Sequence, residues 1–236
     1  MTKRILMAAA LGALTAAATA RAQGASSAGA CAVQTQASQA EMTPAKAIAR
    51  LKEGNARFAS GKRNACDLNA QVHATAAGQY PFAAVVSCMD SRASAELVCD
   101  QGLGDIFNLR EAGNVVDVDT LGGLEYAAKV VGVKVIVVMG HSHCGAVKGA
   151  VDNVELGNLT ALIAKIQPAV KSVGPVPAAK SKDDAFVQKV AEANVRLEMK
   201  EIEEKSPVIR ELVKSGKLGI AGAMYDIETG KVTFLN

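Results

Sequence analysis

Tryptophan is absent from this 236-residue chain, and aromatic residues of all kinds make up only 3% of it. No basic stripe with interleaved aromatics occurs, and the formal net charge is only +3. Both absences argue against nucleic acid as a partner. Beyond the first residues, no apolar run approaches the roughly 20 residues that cross a bilayer. The mature chain is therefore expected to make no stable membrane insertion. Internal repeats and linkers of biased composition are also lacking, and the length suits a single α/β domain with a full core. Histidine is scarce, at three, and cysteine is present at an odd count of five.

The one apolar stretch lies at the N-terminus. Lys3 and Arg4 precede a short Ala/Leu-rich segment, Ile5 to Ala18. Ala18-Thr19-Ala20 and Ala20-Arg21-Ala22 then offer small-residue cleavage sites. This pattern reads as a secretory signal peptide over 1–22, and it places the mature protein in the periplasm. Residues 23–41, rich in Ala, Ser and Gln, read as a flexible tail, and 42–236 as the folded domain. In an oxidising compartment cysteines pair by default. Spacing leaves a Cys31–Cys66 bridge open, while Cys99, in an apolar segment, reads as a small buried residue.

Strands and helices alternate along the domain. Thr43-Pro44 opens a helix, with Thr at the N-cap and Pro at the first helical position; it ends near Gly61. Residues 64–78 read as a polar connection. Apolar β-branched runs predict strands at 82–87, 106–109 and 134–140. Asp119 or Thr120 is expected to cap a helix carrying Leu121, Leu124, Tyr126 and Val130. Further helices are predicted from His143-Cys144, over 156–173, over 182–204 and from Ser206-Pro207. A hairpin over 218–225 and 231–235 closes the chain. The fold class is α/β, a central, mostly parallel sheet flanked by helices, with an antiparallel edge strand.

Two motifs carry chemistry. Cys88-Met89-Asp90-Ser91-Arg92 follows the first predicted strand, and His141-Ser142-His143-Cys144-Gly145 follows the third. Functional groups in open α/β sheets collect outside the carboxyl ends of strands, so two thiolates and an imidazole are expected to meet. Cys88, His141 and Cys144 would be three zinc ligands, with a fourth position open for water. Asp90 would accept a hydrogen bond from a zinc-bound hydroxide, and Arg92 would hold Asp90 ionised and off the metal. Blander readings stand beside this one: a structural Asp90–Arg92 ion pair, a Cys88–Cys144 disulfide, or a closed structural zinc site. Helical geometry points His141 and His143 in different directions, so both are not expected on one metal. His143 would be a proton shuttle or a solvated histidine, and His73 a solvated one.

These motifs resemble the zinc signature of the β-class carbonic anhydrases: Cys-x-Asp-x-Arg, then His-x-x-Cys-Gly. The resemblance continues through Gln101-Gly-Leu-Gly-Asp105-Ile-Phe107, Arg110-Glu-Ala-Gly113-Asn114 and Leu124-Glu-Tyr126, and covers the chain from about Met42. It implies one Zn2+ per subunit on Cys88, His141 and Cys144, with Asp90 and Arg92 as the catalytic dyad. Gln79, Phe107 and Tyr126 would bind substrate, Tyr126 from a partner subunit. The reaction implied is reversible hydration of carbon dioxide to bicarbonate and a proton, by zinc-bound hydroxide that the dyad orients. A homodimer or tetramer is implied, with the helix around 42–59 exchanged between subunits. One branch of the family carries a tryptophan three residues before the first cysteine, for a non-catalytic bicarbonate site. Here that residue is Val85, which implies the branch without it. Glu111 sets a charge in the Arg-x-Ala-Gly-Asn segment that the sequence does not explain. Relatives acting on carbon disulfide or carbonyl sulfide share the ligands, and a non-catalytic zinc or redox protein is the alternative of a different class.

Overall fold

A computed structural model describes residues 31–235, so the expected signal peptide lies outside the described residues. The centre is a five-stranded sheet in the order β2-β1-β3-β4-β5. These strands are β1 Ala83–Ser87, β2 Ile106–Arg110, β3 Val135–His141, β4 Gly219–Tyr225 and β5 Val232–Phe234. The first four are parallel, and β5 returns antiparallel on β4 as the edge. The expected class therefore holds, strand by strand.

Burial explains why the strands read so clearly. Every residue of β1 and of β3 is buried, the condition of a parallel sheet covered on both faces. Alternate side chains feed two cores. Ala84, Val86, Ile136 and Val138 face one layer; Ala83, Val85, Val135, Val137 and Met139 face the other. The first layer is closed by α5 Val118–Glu125, α6 Gly145–Asp152, α7 Gly157–Val173, α8 Asp184–Lys205 and α9 Pro207–Lys214. The second is closed by α2 Pro44–Ala59 and the short α4 Ala95–Val98. No helix of the described residues is long and apolar enough to cross a membrane.

Helix starts follow side-chain caps. Thr43, Asp183 and Ser206 each accept a hydrogen bond from the backbone N–H three residues on, opening α2, α8 and α9. The start of α5 differs from the expectation. Asp117, not Asp119 or Thr120, is the cap, and it accepts from the Thr120 N–H. Beyond Glu125 the helix widens into a π-helical turn, Tyr126–Val131.

Two polar stretches hold more structure than expected. Within the expected tail, α1 Gln36–Ala40 forms through a reciprocal cap between Thr35 and Ser38. The Gln39 side chain, itself buried, donates to the Pro81 carbonyl at 2.6 Å. The connection 64–78 contains α3 Leu68–Thr75, capped by Asp67. A Cys31–Cys66 disulfide ties these two segments together. The remaining expectation about this region concerned the 42–59 helix as an exchanged arm. Here α2 lies on its own chain's sheet, with Ala47 and Leu51 in the second core. It is pinned there by Arg50–Asp105 at 2.8 Å and Arg57–Asp100 at 2.6 Å.

Candidate metal centre

The strand order decides where chemistry collects. From β1 the chain runs outward to the edge strand β2, then returns to β3 on the other side of β1. That reversal makes the carboxyl ends of β1 and β3 the crevice of the sheet. Ser87 pairs with Met139 across it. Cys88 is the first residue beyond β1, His141 is the last of β3, and Cys144 is the N-cap of α6.

The three side chains meet. Their donor atoms all lie within 4.8 Å of one another, and the two sulfurs are 3.9 Å apart. Tetrahedral zinc with its usual bond lengths sets two sulfurs about 3.8 Å apart. All three residues are buried, none more than 4% exposed. The Ser142 carbonyl can only accept, so His141 Nδ1, 2.9 Å away, carries the proton and donates to it. This leaves Nε2 as a lone pair turned inward, buried and without a hydrogen-bond partner. An outward-anchored imidazole is the usual arrangement of a metal-binding histidine. The donor set therefore fits a metal ion on an observation independent of the motif.

The electrostatics agree. A hydrogen bond with Cys144 pulls the Cys88 thiol down to about 4, helped by His141 and the Gly113 and Asp90 backbone and opposed by burial. The same bond, with burial, pushes Cys144 upward. Burial opposes charge on the His141 ring, but the neighbouring Cys88 sulfur raises it overall.

Asp90 sits over the triad. Its Oδ2 is 3.9 Å from His141 Nε2. Arg92 donates from Nε to Oδ1 at 2.9 Å and from Nη2 to Oδ2 at 2.7 Å, and its backbone N–H adds a third bond at 3.0 Å. These bonds hold the Asp90 carboxyl well below the usual carboxylate range, against partial burial. Both oxygens are thus committed to the guanidinium.

Sequence reasoning assigned no role to two residues that shape this loop. Arg110, the last residue of β2, donates to the carbonyls of Cys88 and Asp90 and so fixes the turn that carries both side chains. Gly113 donates its N–H to Cys88 Sγ at 3.3 Å. Gly113 has φ +69°, where any side chain is strained, and a Cβ there would come within 2.6 Å of Ile166 Cδ1. Their signal was the Arg110-Glu-Ala-Gly113-Asn114 run itself. Glu111 now has an account: its carboxylate accepts from the Ala112 N–H at 2.9 Å and opens the 3₁₀ turn Ala112–Asn114.

The expected substrate-binding residues are not gathered at the triad of one chain. Gln79 is exposed on the loop before β1, at the amino end of the sheet. Phe107 pairs with Ala84, three ladder steps short of the carboxyl end. Half-exposed Tyr126 stacks obliquely on Phe107, with ring centroids 6.3 Å apart. His143, with φ +55°, is not part of the Cys88–His141–Cys144 cluster and lies between two carboxylates, Asp184 at 3.2 Å and Glu228 at 3.4 Å.

Comparison with known proteins decides the family. The family model described as carbonic anhydrase matches residues 83–232, a span holding both motifs. The chain belongs to the β-carbonic anhydrases. Carbonic anhydrase 2 of Mycobacterium tuberculosis is 37% identical over 194 residues, covering 80% of this chain and 91% of that one. The carbonic anhydrase of Mycolicibacterium smegmatis is 35% identical over 196 residues, covering 80% and 92%. Among solved structures, a tetrameric β-carbonic anhydrase of Sordaria macrospora superposes with a TM-score of 0.63 at 27% identity. It covers 71% of this chain and 90% of its own. Within a β-carbonic anhydrase frame, the Cys88–His141–Cys144 cluster is the candidate site for a metal ion.

Proposed function

We propose that this protein catalyses the reversible hydration of carbon dioxide to bicarbonate and a proton, with one Zn2+ per subunit held by Cys88, His141 and Cys144. The observation that carries the reading is the buried, unpartnered Nε2 of His141, facing two sulfurs on one side and the Arg92-held carboxylate of Asp90 on the other. Two soft thiolates with one imidazole favour zinc over hard cations such as magnesium or calcium. Zinc supplies there a Lewis acid that lets water act as a nucleophile near neutral pH.

The chain's own residues do the rest. Asp90 accepts a hydrogen bond from the attacking water and turns a lone pair toward the carbon of carbon dioxide. Arg92 keeps Asp90 ionised and bonds both of its oxygens, which would keep the carboxylate off a metal held by Cys88, His141 and Cys144. Gln79 hydrogen-bonds a substrate oxygen, and Phe107 and Tyr126 form the apolar wall. Because one chain does not bring these three to the triad, the pocket is completed in a homodimer or tetramer. The Cys31–Cys66 disulfide supports an oxidising compartment and, with the N-terminal segment, a periplasmic location.

Stopped-flow carbon dioxide hydration on the zinc-quantified mature protein near pH 8 tests the reading. Turnover that scales with zinc content is expected. Stoichiometric zinc without turnover would overturn the proposed activity.

A further inference from the structure

Helix α8 buries two hydrophilic side chains one turn apart, where its neighbours are apolar. Asn194 is fully buried and Glu198 is 2% exposed, among Val190, Val195 and Ile202. Burying an amide and a carboxyl is expensive unless each makes its hydrogen bonds. Each directs a hydrogen bond to one short stretch of backbone in a different part of the chain, while Asn194 Oδ1 is left buried without a partner. Asn194 Nδ2 donates to the Gly113 carbonyl at 2.8 Å, and Glu198 Oε2 accepts from the Val116 N–H at 2.9 Å. That stretch leaves β2 through two consecutive positive-φ residues, Gly113 and Asn114. It is also the stretch that donates to Cys88 Sγ. The single 3₁₀ bond here, Asn114 N–H to the Glu111 carbonyl at 2.9 Å, does not involve the Gly113 N–H, whose direction therefore depends on what holds the turn.

We propose that Asn194 and Glu198 are positioning residues for the metal centre, holding the 113–116 turn so that the Gly113 N–H stays aimed at the Cys88 sulfur. The inference rests on the reading of Cys88 as a metal ligand. A hydrogen bond to a ligating sulfur withdraws charge from it and fixes its direction, and outer partners of this kind commonly change metal affinity ten- to a hundredfold. Asn194 touches no ligand itself; it acts through Gly113. Glu198 acts one step further along the same turn.

The test uses full-length mature protein, with zinc release to a chromogenic chelator and the sulfur-to-metal charge-transfer band of the cobalt(II) form as readouts. Asn194→Ala should release zinc about tenfold faster and shift that band. Val190→Ala, a cavity in the same helix at a side chain that makes no hydrogen bond to the turn, should lower thermal stability and leave both readouts as in wild type. Glu198→Gln keeps an acceptor for Val116 and should behave as wild type, whereas Glu198→Leu should follow Asn194→Ala. Asn194→Leu, close in volume, fills the site without a donor for the Gly113 carbonyl and serves where the alanine variant does not fold; it should show the same two changes. Wild-type release rate and band in Asn194→Ala or Asn194→Leu would overturn the inference, as would equal shifts in Val190→Ala. Wild-type protein that takes up no stoichiometric metal would overturn the zinc reading instead, and this inference with it.

Discussion

A carboxylate two residues after a metal-binding cysteine can either ligate the metal or address what the metal binds. On the proposed reading Arg92 selects the second role for Asp90, because both oxygens already accept from its guanidinium. Asp90→Asn should therefore retain stoichiometric zinc while carbon dioxide hydration falls by about a hundredfold or more. Metal analysis beside stopped flow checks this, and full turnover in the variant would remove Asp90 from the mechanism. Glu198 makes a separate expectation at the same scale. Burial pushes its carboxyl up to about 7 from an ordinary 4.5, although the Val116 N–H favours the ionised form. Between those two pH values the native protein holds a proton that the unfolded chain releases. The Glu198 contribution to stability is thus full below pH 4.5 and declines as pH rises through 7, by at most about 3 kcal/mol. Glu198→Gln cannot titrate. Urea unfolding of both proteins at pH 5 and pH 8 should show wild type losing stability relative to the variant at the higher pH. Parallel behaviour would mean that the carboxyl stays charged throughout.

Secondary-structure elements divide by what made them legible. β1 and β3 are buried along their whole length, so their sequence is a plain apolar run, and the motifs at their ends could be placed without coordinates. Helices α2 and α9 were legible for another reason, a side-chain cap followed by proline. α1 and α3 were not: they are polar, five and eight residues long, and too short to form without tertiary support. That support includes the Cys31–Cys66 bond, which spacing left open. The meeting of Cys88, His141 and Cys144 and the Asp90–Arg92 ion pair were readable because these residues are local to two motifs. Asn194 and Glu198 were not, since an Asn and a Glu on a long charged helix look like its solvent face. The disulfide closes a span of 35 residues, for which loop-closure entropy amounts to about 3–4 kcal/mol. Cys31→Ser with Cys66→Ser should lower the thermal midpoint by several degrees, with zinc content and turnover little changed at 25 °C. An unchanged midpoint under calorimetry would show that α1 and α3 hold without it.

One copy of the chain presents the Cys88–His141–Cys144 cluster at the carboxyl end of its sheet but leaves Gln79, Phe107 and Tyr126 elsewhere. It also leaves large apolar side chains in water on the same helical segment: Val118 at 78% exposed, Val130 at 70% and Tyr126 at 50%. Exposed apolar residues clustered in this way mark interaction surfaces. A second copy covering α5 and its π-helical turn would bury them and could carry Tyr126 toward the other subunit's triad. The tetrameric relative in Sordaria macrospora has the same fold, so assembly is compatible with this architecture. Sedimentation of the wild-type protein should then report a dimer or a tetramer. Val118→Asp with Val130→Asp places two charges in that surface without touching Cys88, His141, Cys144, Asp90 or Arg92. The double variant is expected to sediment as a monomer that keeps its zinc and loses at least tenfold in kcat/KM, since a pocket lacking its partner wall no longer orients substrate. A zinc-loaded monomer with wild-type turnover would instead mean that a single chain completes the site, and that Tyr126 acts on its own subunit or not at all.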